Sequence, residues 1–212
     1  SQLLSHSSGL KPFVEYFKDP SIVSKEQILN DVLSHDLDFK PGTAYQYSDL
    51  GMIVMMGIIE KVTGRDLDDL SARYFFRPLG MRNTFYNPPE NLINRIVPTE
   101  FDSIYRNELV HGVVHDENAY VLGGVAGHAG LFSTAEDVAK LAQLFVNEGT
   151  WLGNRILWSS LVREFTKRQN TPDGSDRALG WDTPSQNGKS SAGDFFSDKA
   201  YGHLGFTGTS LW

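Results

Sequence analysis

A serine and a lysine three residues apart can do nucleophilic chemistry, because one helical turn brings the amine within reach of the hydroxyl. The sequence contains one such pair, Ser8 and Lys11. Pro12 follows the lysine and disfavours the α conformation before it, and Gly9 weakens a helix further. We therefore predict that Ser8 lies in a turn and is not a nucleophile. The G-x-S-x-G elbow of other serine hydrolases does not occur.

Three histidines could supply imidazole ligands to zinc: His111, His115 and His128. Their segment is rich in glycine and valine, which does not favour the helix of an H-E-x-x-H site, and that motif is absent. We predict structural hydrogen bonds for the three and no metal site. His6 and His35 are interpreted as surface or turn residues. The chain has no cysteine, which excludes a thiolate nucleophile, a disulfide and Cys-ligated zinc.

Tyr47 lies where an extended segment, residues 44–47, meets a predicted helix. Ser48 or Asp49 can cap that helix, and Gly64 can end it. A side chain at such a junction can be held rigidly at the edge of a pocket. A tyrosine with a lowered pKa, or one paired with a cation, can act as a general acid or base. Tyr47 is therefore a candidate catalytic residue, and a core or capping role is the alternative.

Helices dominate the predicted elements. We predict them over residues 25–33, from 48 or 49 to 62, over 67–76, from a capping box at 133–136 to 147, and over 157–167. Apolar side chains go all round the second helix, which predicts that it is buried. Strands are few and short, and residues 206–212 read as one.

The composition excludes several classes of protein. The 212 residues are 40% hydrophobic and 21% charged, which is typical of a soluble globular chain. The longest apolar run, residues 50–59, is about half of a membrane span. A net charge of −7 argues against a nucleic-acid or anionic-membrane partner. No signal peptide is visible at the N-terminus.

Six segments carry recognisable motifs: residues 3–10 (LLSHSSGL), 41–51 (PGTAYQYSDLG), 58–64 (IIEKVTG), 77–81 (RPLGM), 127–134 (GHAGLFST) and 203–208 (HLGFTG). In this order they resemble the serine β-lactamase-like family. That family includes class C β-lactamases, low-molecular-weight penicillin-binding proteins (D-alanyl-D-alanine carboxypeptidases), D-aminopeptidases and esterases. The resemblance implies an α+β, β-lactamase/transpeptidase-like fold, represented here by most of its helical region and part of its antiparallel sheet.

The resemblance also implies that residues 1–212 are a partial domain. In the family, the nucleophilic serine and its lysine lie in an S-x-x-K segment ahead of the one that residues 3–10 resemble. We therefore expect an internal fragment, truncated at both ends, whose partner is the rest of the parent domain. Alone it should be inactive, with marginal stability or exposed apolar surface around residues 50–59 and 206–212. The family is usually exported, so the periplasm or the extracellular space is the expected location.

The resemblance assigns roles to five residues. Tyr47 matches the Y-x-N tyrosine, which shares acid/base duty with the lysine and protonates the leaving group. Asp49 replaces the asparagine, and its carboxylate would favour a protonated lysine and so weaken that lysine as a base. His203 replaces the lysine whose fixed charge holds the substrate carboxylate, a charge that neutral histidine lacks. Gly205 belongs to the same substrate-binding segment, and the Phe206 N–H would be an oxyanion donor.

These matches imply a serine hydrolase that transfers acyl groups from ester or amide substrates of the cell-wall-peptide or β-lactam type. The departures at Asp49 and His203 favour an esterase or peptidase over an efficient β-lactamase. The implied partner is a small-molecule or peptide substrate, and no cofactor is implied. Two alternatives stay open: a pseudo-enzyme of the same fold that binds peptidoglycan peptides without turnover, and a metal-dependent hydrolase.

Overall fold

The computed structural model describes residues 1–22, 24–186 and 189–212, and their regular structure is mostly helical. The α-helices in chain order are α1 (Lys25–Ser34), α2 (Asp49–Thr63), α3 (Leu67–Ser71), α4 (Arg77–Leu79), α5 (Glu117–Val121), α6 (Ala135–Val146) and α7 (Ser159–Thr166). A π-helical turn, Ala72–Phe76, joins α3 to α4, and 3-10 helices lie at Tyr16–Lys18 and Glu90–Arg95. None of the helices formed by these residues has the length and apolar character that a bilayer-crossing helix needs.

The strands formed by the described residues are each two residues long. They are β1 (Phe85–Tyr86), β2 (Phe101–Asp102), β3 (Glu108–Leu109), β4 (Leu131–Phe132), β5 (Thr150–Trp151), β6 (Asn154–Arg155), β7 (His203–Leu204) and β8 (Ser210–Leu211). All pairs are antiparallel: β1 with β4, β2 with β3, β5 with β6 and β7 with β8. Helices with small antiparallel sheets confirm the predicted α+β class.

Side-chain caps set the ends of α1 and α2. Ser24 begins α1 by accepting a hydrogen bond from the Gln27 N–H at 3.2 Å. Ser48 begins α2 by accepting one from the Gly51 N–H at 3.0 Å. Gly64 ends α2 in the left-handed conformation, with φ of 66°. Both helices are therefore confirmed close to their predicted bounds.

The capping box predicted at Ser133 and Glu136 is wrong by one residue. Thr134 caps α6 by accepting a hydrogen bond from the Asp137 N–H at 3.3 Å. The Ser133 hydroxyl instead pairs with that of Thr84 at 2.8 Å. Thr84 directly precedes β1 and Ser133 directly follows β4, so the antiparallel pairing of these strands brings the two residues together, and the helix begins one residue later.

Two other helices differ in length from the prediction. The helix predicted over residues 67–76 continues through the π-helical turn to Leu79, where Gly80 ends it with φ of 67°. The helix predicted over residues 157–167 is shorter, since Trp158 is extended and α7 begins at Ser159.

The prediction that α2 is buried all round holds only for its N-terminal half. Ile58 is 47% exposed and Val62 is 80% exposed. At Gly57, α1 packs closely against one side of α2, where an added Cβ would lie 2.8 Å from Leu29 Cδ2. Ile58 and Val62, in the C-terminal half, face solvent, so the exposed apolar surface expected around residues 50–59 is limited to the end of that range.

The main hydrophobic core lies beneath the N-terminal half of α2. It is formed by side chains from the N-terminal segment, α1, α2, α5 and the loops flanking α5: Leu10, Tyr16, Ile28, Val32, Leu50, Ile53, Val54, Met56, Val114, Ala119, Leu122 and Ala126. A smaller cluster joins α4 to α6 through Leu79, Met81 and Leu144. Close packing of Leu50, Ile53 and Val54 in this core therefore fixes the position of the start of α2.

The predicted strand over residues 206–212 is wrong in its first half. Only Ser210–Leu211 is strand, and it pairs back on β7. Gly208, with φ of 88°, makes the turn between the two strands, because only glycine adopts that conformation at little cost. Phe206 lies in this turn and is 92% exposed, so the apolar surface expected near the end of the chain is present there.

Candidate active site

The N-terminal segment forms a buried turn against the start of α2. Ser8 accepts a hydrogen bond from the Leu10 N–H at 3.3 Å, which confirms the predicted turn. Gly9 has φ of 82°, and a Cβ there would lie 2.2 Å from the Phe39 carbonyl oxygen, so only glycine fits. Within the described part of the chain, the exposed Lys11 side chain makes no hydrogen bond, so Ser8 has no lysine base.

His6 holds Tyr47 from both sides. Its carbonyl oxygen accepts a hydrogen bond from the Gln46 N–H at 2.9 Å, and its Nδ1 accepts one from the Ser48 N–H at 3.1 Å. Its ring stacks on the Tyr47 ring, with centroids 4.2 Å apart and planes inclined by 30°. The Tyr47 ring is therefore packed on the buried His6 ring on one face, while 42% of its surface stays exposed.

The interpretation of His6 as a surface or turn residue is half right. His6 is in a turn, with φ of 53°, but it is only 4% exposed. Burial lowers its pKa to about 3, and the positive charges of Arg177 and His203 contribute. Because Nδ1 accepts a hydrogen bond, the neutral ring carries its proton on Nε2.

Tyr47 keeps its proton at neutral pH. Burial raises the pKa of its phenol, and the Asp49 carboxylate raises it further, while the Arg177 guanidinium opposes the shift. The sequence suggested a tyrosine with a lowered pKa or one paired with a cation. Here the cation is present but the pKa is raised. In this state Tyr47 can donate a proton, as a general acid must.

Arg177 is a site residue that the sequence did not reveal. Its guanidinium carbon lies 5.3 Å from the centroid of the Tyr45 ring and 5.4 Å from that of Tyr47. Its Nη2 donates to the Tyr45 hydroxyl at 2.8 Å. No spacing pattern links residue 177 to residue 47, so sequence reasoning had no local signal for it.

His203 faces the same cluster from β7. Its ring centroid is 6.1 Å from that of Tyr47. Its Nδ1 is 2.6 Å from the Leu204 carbonyl oxygen, and its Nε2 is 3.4 Å from Arg177 Nη1. The structure therefore brings together two residues that the sequence predicted, Tyr47 and His203, and adds His6 and Arg177.

Gly205 and Phe206 form the turn that follows β7. The Gly205 N–H donates to the Thr209 carbonyl at 2.7 Å, and a Cβ on Gly205 would lie 2.1 Å from Thr209 Oγ1. The Phe206 ring rests against His115, with centroids 5.4 Å apart. Among the described residues, no acceptor takes the Phe206 N–H.

Asp49 begins α2 beside a second charged pair. Burial raises the pKa of Asp49; His128 opposes this shift and Asp116 adds to it. His128 Nε2 lies 2.9 Å from Asp116 Oδ1. Asp49 is therefore a partly buried acidic group that lies near both members of this pair.

The three histidines weighed as zinc ligands each have a different partner. His111 Nε2 lies 2.8 Å from the Ile96 carbonyl, His115 Nδ1 lies 2.9 Å from Thr99 Oγ1, and His128 pairs with Asp116. The predicted structural hydrogen bonds are confirmed. The described residues contain no group of three or more metal-binding side chains.

A cavity of about 340 Å³ adjoins the site and shares Tyr45 and Arg177 with it. Its other lining residues are Pro172, Asp173, Gly174, Ser175, Asp176, Asp182, Thr183, Ser185, Lys189 and Ser191. Arg177 therefore lies between Tyr47 and a space large enough for part of a small ligand.

Comparison with known proteins identifies the family. The β-lactamase family model matches residues 1–212. The chain is 35% identical to an N-acetylmuramyl-L-alanine amidase of Bacillus subtilis (strain 168), over 98% of this chain and 51% of the relative. It is 34% identical to a protein of Salmonella agona (strain SL483) provisionally named as a D-alanyl-D-alanine carboxypeptidase, over 88% of this chain and 46% of the relative. The chain thus spans about half the length of these relatives.

Solved structures show the same fold. A penicillin-binding protein from Bacillus halodurans superposes with a TM-score of 0.68 at 18% identity, over 96% of this chain and 59% of that one. A D-amino acid amidase from Ochrobactrum anthropi SV3 superposes with a TM-score of 0.59 at 21% identity, over 85% of this chain and 51% of that one. With its relatives named as hydrolases and its fold shared with penicillin-binding proteins, the chain belongs to the β-lactamase family.

Proposed function

We propose that the chain is part of a serine hydrolase that cleaves ester or amide bonds, as in cell-wall peptides, through an acyl-enzyme. One observation carries the proposal. The Tyr47 phenol is protonated and fixed by His6 at the start of α2, and it faces His203 and Arg177. The family and the names of the relatives support the same reaction class.

The nucleophile would come from outside residues 1–212. Ser8 lies in a turn without a base, and the relatives are about twice as long as this chain. In this proposal residues 1–212 are one partial β-lactamase-like domain. An S-x-x-K segment and further strands belong to the remainder of the parent protein. The chain alone would not form an acyl-enzyme.

The steps follow from the groups at the site. The serine oxygen bonds to the substrate carbonyl carbon, and its proton passes to the lysine. Tyr47 donates its proton to the leaving oxygen or nitrogen as that bond breaks, and recovers one from the lysine. The Phe206 N–H and the serine N–H would hold the oxyanion. Water then repeats the attack on the acyl-enzyme and releases the acid.

The departures at Asp49 and His203 favour an esterase or peptidase. An ionised Asp49 would hold the catalytic lysine in its protonated form, which slows attack. A neutral His203 would not attract the β-lactam carboxylate as a lysine does. We expect the parent protein to hydrolyse a chromogenic cephalosporin slowly. Rapid hydrolysis would contradict this specificity.

Labelling with a fluorescent fluorophosphonate tests the proposed function. We expect the parent protein to be labelled on a serine of an S-x-x-K segment, and the 212-residue chain to remain unlabelled. The Ser8→Ala variant of the parent protein should label as strongly as the unaltered protein. Labelling of the short chain that Ser8→Ala abolishes would contradict the proposal.

A binding domain without turnover is the second candidate, and Asp49 is the observation that favours it. A carboxylate in place of the asparagine amide weakens both the lysine base and the substrate contact. The absence of an upstream S-x-x-K, together with binding of peptidoglycan peptides, would decide for this candidate. For either function we propose a location outside the cytoplasm, where such peptides occur, and cell fractionation tests it.

A further inference from the structure

We propose that His128, held by Asp116, is a positioning residue that keeps Asp49 ionised beside Tyr47. The inference rests on the proposed function, since an ionised Asp49 matters there by holding the catalytic lysine protonated. His128 and Asp116 take no part in the steps of that reaction, so this role is an additional one. The effect on Asp49 can be measured without turnover.

The backbone brings His128 to the start of α2. A Cβ on Gly127 would lie 2.2 Å from the Met52 carbonyl oxygen, so the loop before His128 touches the first turn of this helix. Met52 follows Asp49 by three residues, which is about one helical turn. Ala126, on the other side of Gly127, is buried in the main core. The fold therefore fixes the position of His128 beside this end of α2.

Asp116 orients the His128 ring. His128 Nε2 lies 2.9 Å from Asp116 Oδ1, and the His128 side chain is 3% exposed. An ionised carboxylate can only accept a hydrogen bond, so Nε2 carries a proton. The same oxygen caps α5 by accepting from the Ala119 N–H at 2.7 Å, and Asn118 of α5 donates to the Val14 carbonyl at 2.7 Å. Nδ1 is buried and has no hydrogen-bond partner within the described part of the chain, so Asp116 alone orients the ring by hydrogen bonding.

His128 carries the positive charge of this pair in acid. Burial acts to raise the pKa of Asp116, but the hydrogen bond and the charge of His128 lower it below its usual value, and His115 acts in the same sense. Imidazole ordinarily takes up its second proton at about pH 6.5, above the range in which carboxyl groups titrate. The pair is therefore an imidazolium and a carboxylate over the range in which Asp49 titrates.

Asp49 depends on this pair for its charge. Its side chain makes no hydrogen bond or ion pair with the described residues, although it is partly buried. Burial raises the pKa of Asp49, the positive charge of His128 opposes this shift, and the negative charge of Asp116 adds to it. Tyr47, two residues away, is neutral and supplies no compensating charge. His128 therefore sets how readily Asp49 gives up its proton.

Carboxyl titration by NMR tests the proposal. The protein is labelled with carbon-13 at the aspartate carboxyl groups, and Asp49→Asn identifies the resonance of Asp49. The unaltered protein is compared with His128→Gln, Asp116→Asn and His111→Gln. Glutamine in place of His128 keeps an N–H for Asp116 but cannot carry the charge. His111→Gln is the matched control, because His111 pairs with the Ile96 carbonyl and not with a carboxylate.

We expect His128→Gln to raise the proton affinity of Asp49 about 3- to 10-fold, because it removes a nearby positive charge. Asp116→Asn should lower that affinity about 2- to 5-fold, because it removes a nearby negative charge. His111→Gln should leave it within about 1.5-fold. Opposite shifts distinguish an effect of charge from a general loosening of the fold, which would move Asp49 in the same direction in both variants.

The coupling must also appear at His128. By thermodynamic linkage, an ionised Asp49 raises the proton affinity of His128 by the factor by which the imidazolium lowers that of Asp49. Asp49→Asn should therefore lower the proton affinity of the His128 ring about 3- to 10-fold, as measured by NMR titration of the ring. This variant leaves the buried pair intact, so the measurement decides the proposal even if His128→Gln does not fold.

An unchanged Asp49 titration in folded His128→Gln would overturn the proposal, as would shifts of the same sign in His128→Gln and Asp116→Asn. An unchanged titration of His128 in Asp49→Asn would overturn it too. The proposed function fails separately, through absence of fluorophosphonate labelling in the parent protein. Coupled titration without labelling would retain the role of His128 and reject the hydrolase.

Discussion

The two sides of the site differ in how firmly the protein holds them. On one side, the turn around His6 and the start of α2 are buried and joined by hydrogen bonds, and Tyr47 packs on the His6 ring. On the other, β7 and β8 are two-residue strands, and residues 205–209 between them form a turn that exposes Phe206. The proposed acid, Tyr47, is therefore positioned by residues of this chain, while the proposed oxyanion donor, the Phe206 N–H, lies in an exposed turn.

The largest expected effect is on the free energy of unfolding at low pH, and it comes from the His6 side of the site. His6 has a folded-state pKa of about 3 against 6.5 in the unfolded chain, so the unfolded state binds more protons between these values. With respect to His6, the free energy of unfolding is therefore highest above pH 6.5 and declines as the pH falls toward 3. The slope is about 1.4 kcal/mol per pH unit. Urea titrations at several pH values measure it.

His6→Asn is the matched control for this acid lability. Asparagine tolerates positive φ and offers an acceptor to the Ser48 N–H, but it does not titrate. The variant should lose most of the decline between pH 6.5 and pH 4. An unchanged slope would show that other groups, such as the paired carboxylates, cause it.

A pair of glycine substitutions compares the packing of the two sides. Gly9→Ala places a methyl group against the Phe39 carbonyl at positive φ, and we expect it to cost about 2–4 kcal/mol of unfolding free energy. Gly208→Ala has a similar positive φ, but no atom lies within 4 Å of the added Cβ, so only the backbone cost of about 1–2 kcal/mol applies. Chemical denaturation of both variants is the measurement. Equal losses of unfolding free energy in the two variants would show that the two sides are packed equally closely.

The smallest expected effect is at Phe206. Its side chain is 92% exposed, so Phe206→Ser should change the unfolding free energy of the 212-residue chain by less than about 0.5 kcal/mol. Thermal unfolding of the two proteins checks this. A larger loss would mean that the turn is packed in solution and that the contrast between the two sides is overstated.

Local signals in the sequence were enough to locate α2 and Tyr47. Ser48 and Gly64 carry their capping chemistry in their own side chains or backbone, and so a short window predicts them. The sequence did not identify His6 and Arg177 as site residues, because their contacts are with residues far away in sequence. His6 receives its hydrogen bond from Ser48, and Arg177 reaches His203 through the bridge at Asp182.

The errors near strands have a related cause. Ser133 looked like a helix cap, but it lies directly after β4, where its hydroxyl pairs with that of Thr84. Residues 206–209 looked extended, but Gly208 turns the chain back onto β7. Strand bounds depend on partners elsewhere in the chain, which a local pattern does not contain.

The central claim is that Tyr47 is a preorganised acid/base group of a serine hydrolase. Its most direct test is turnover of an unactivated peptide amide, whose leaving nitrogen must be protonated, by the parent protein with Tyr47→Phe, beside Tyr74→Phe, which alters an exposed tyrosine. We expect kcat to fall at least about 100-fold for Tyr47→Phe and to stay unchanged for Tyr74→Phe, with equal melting temperatures. An unchanged kcat in Tyr47→Phe would contradict the account.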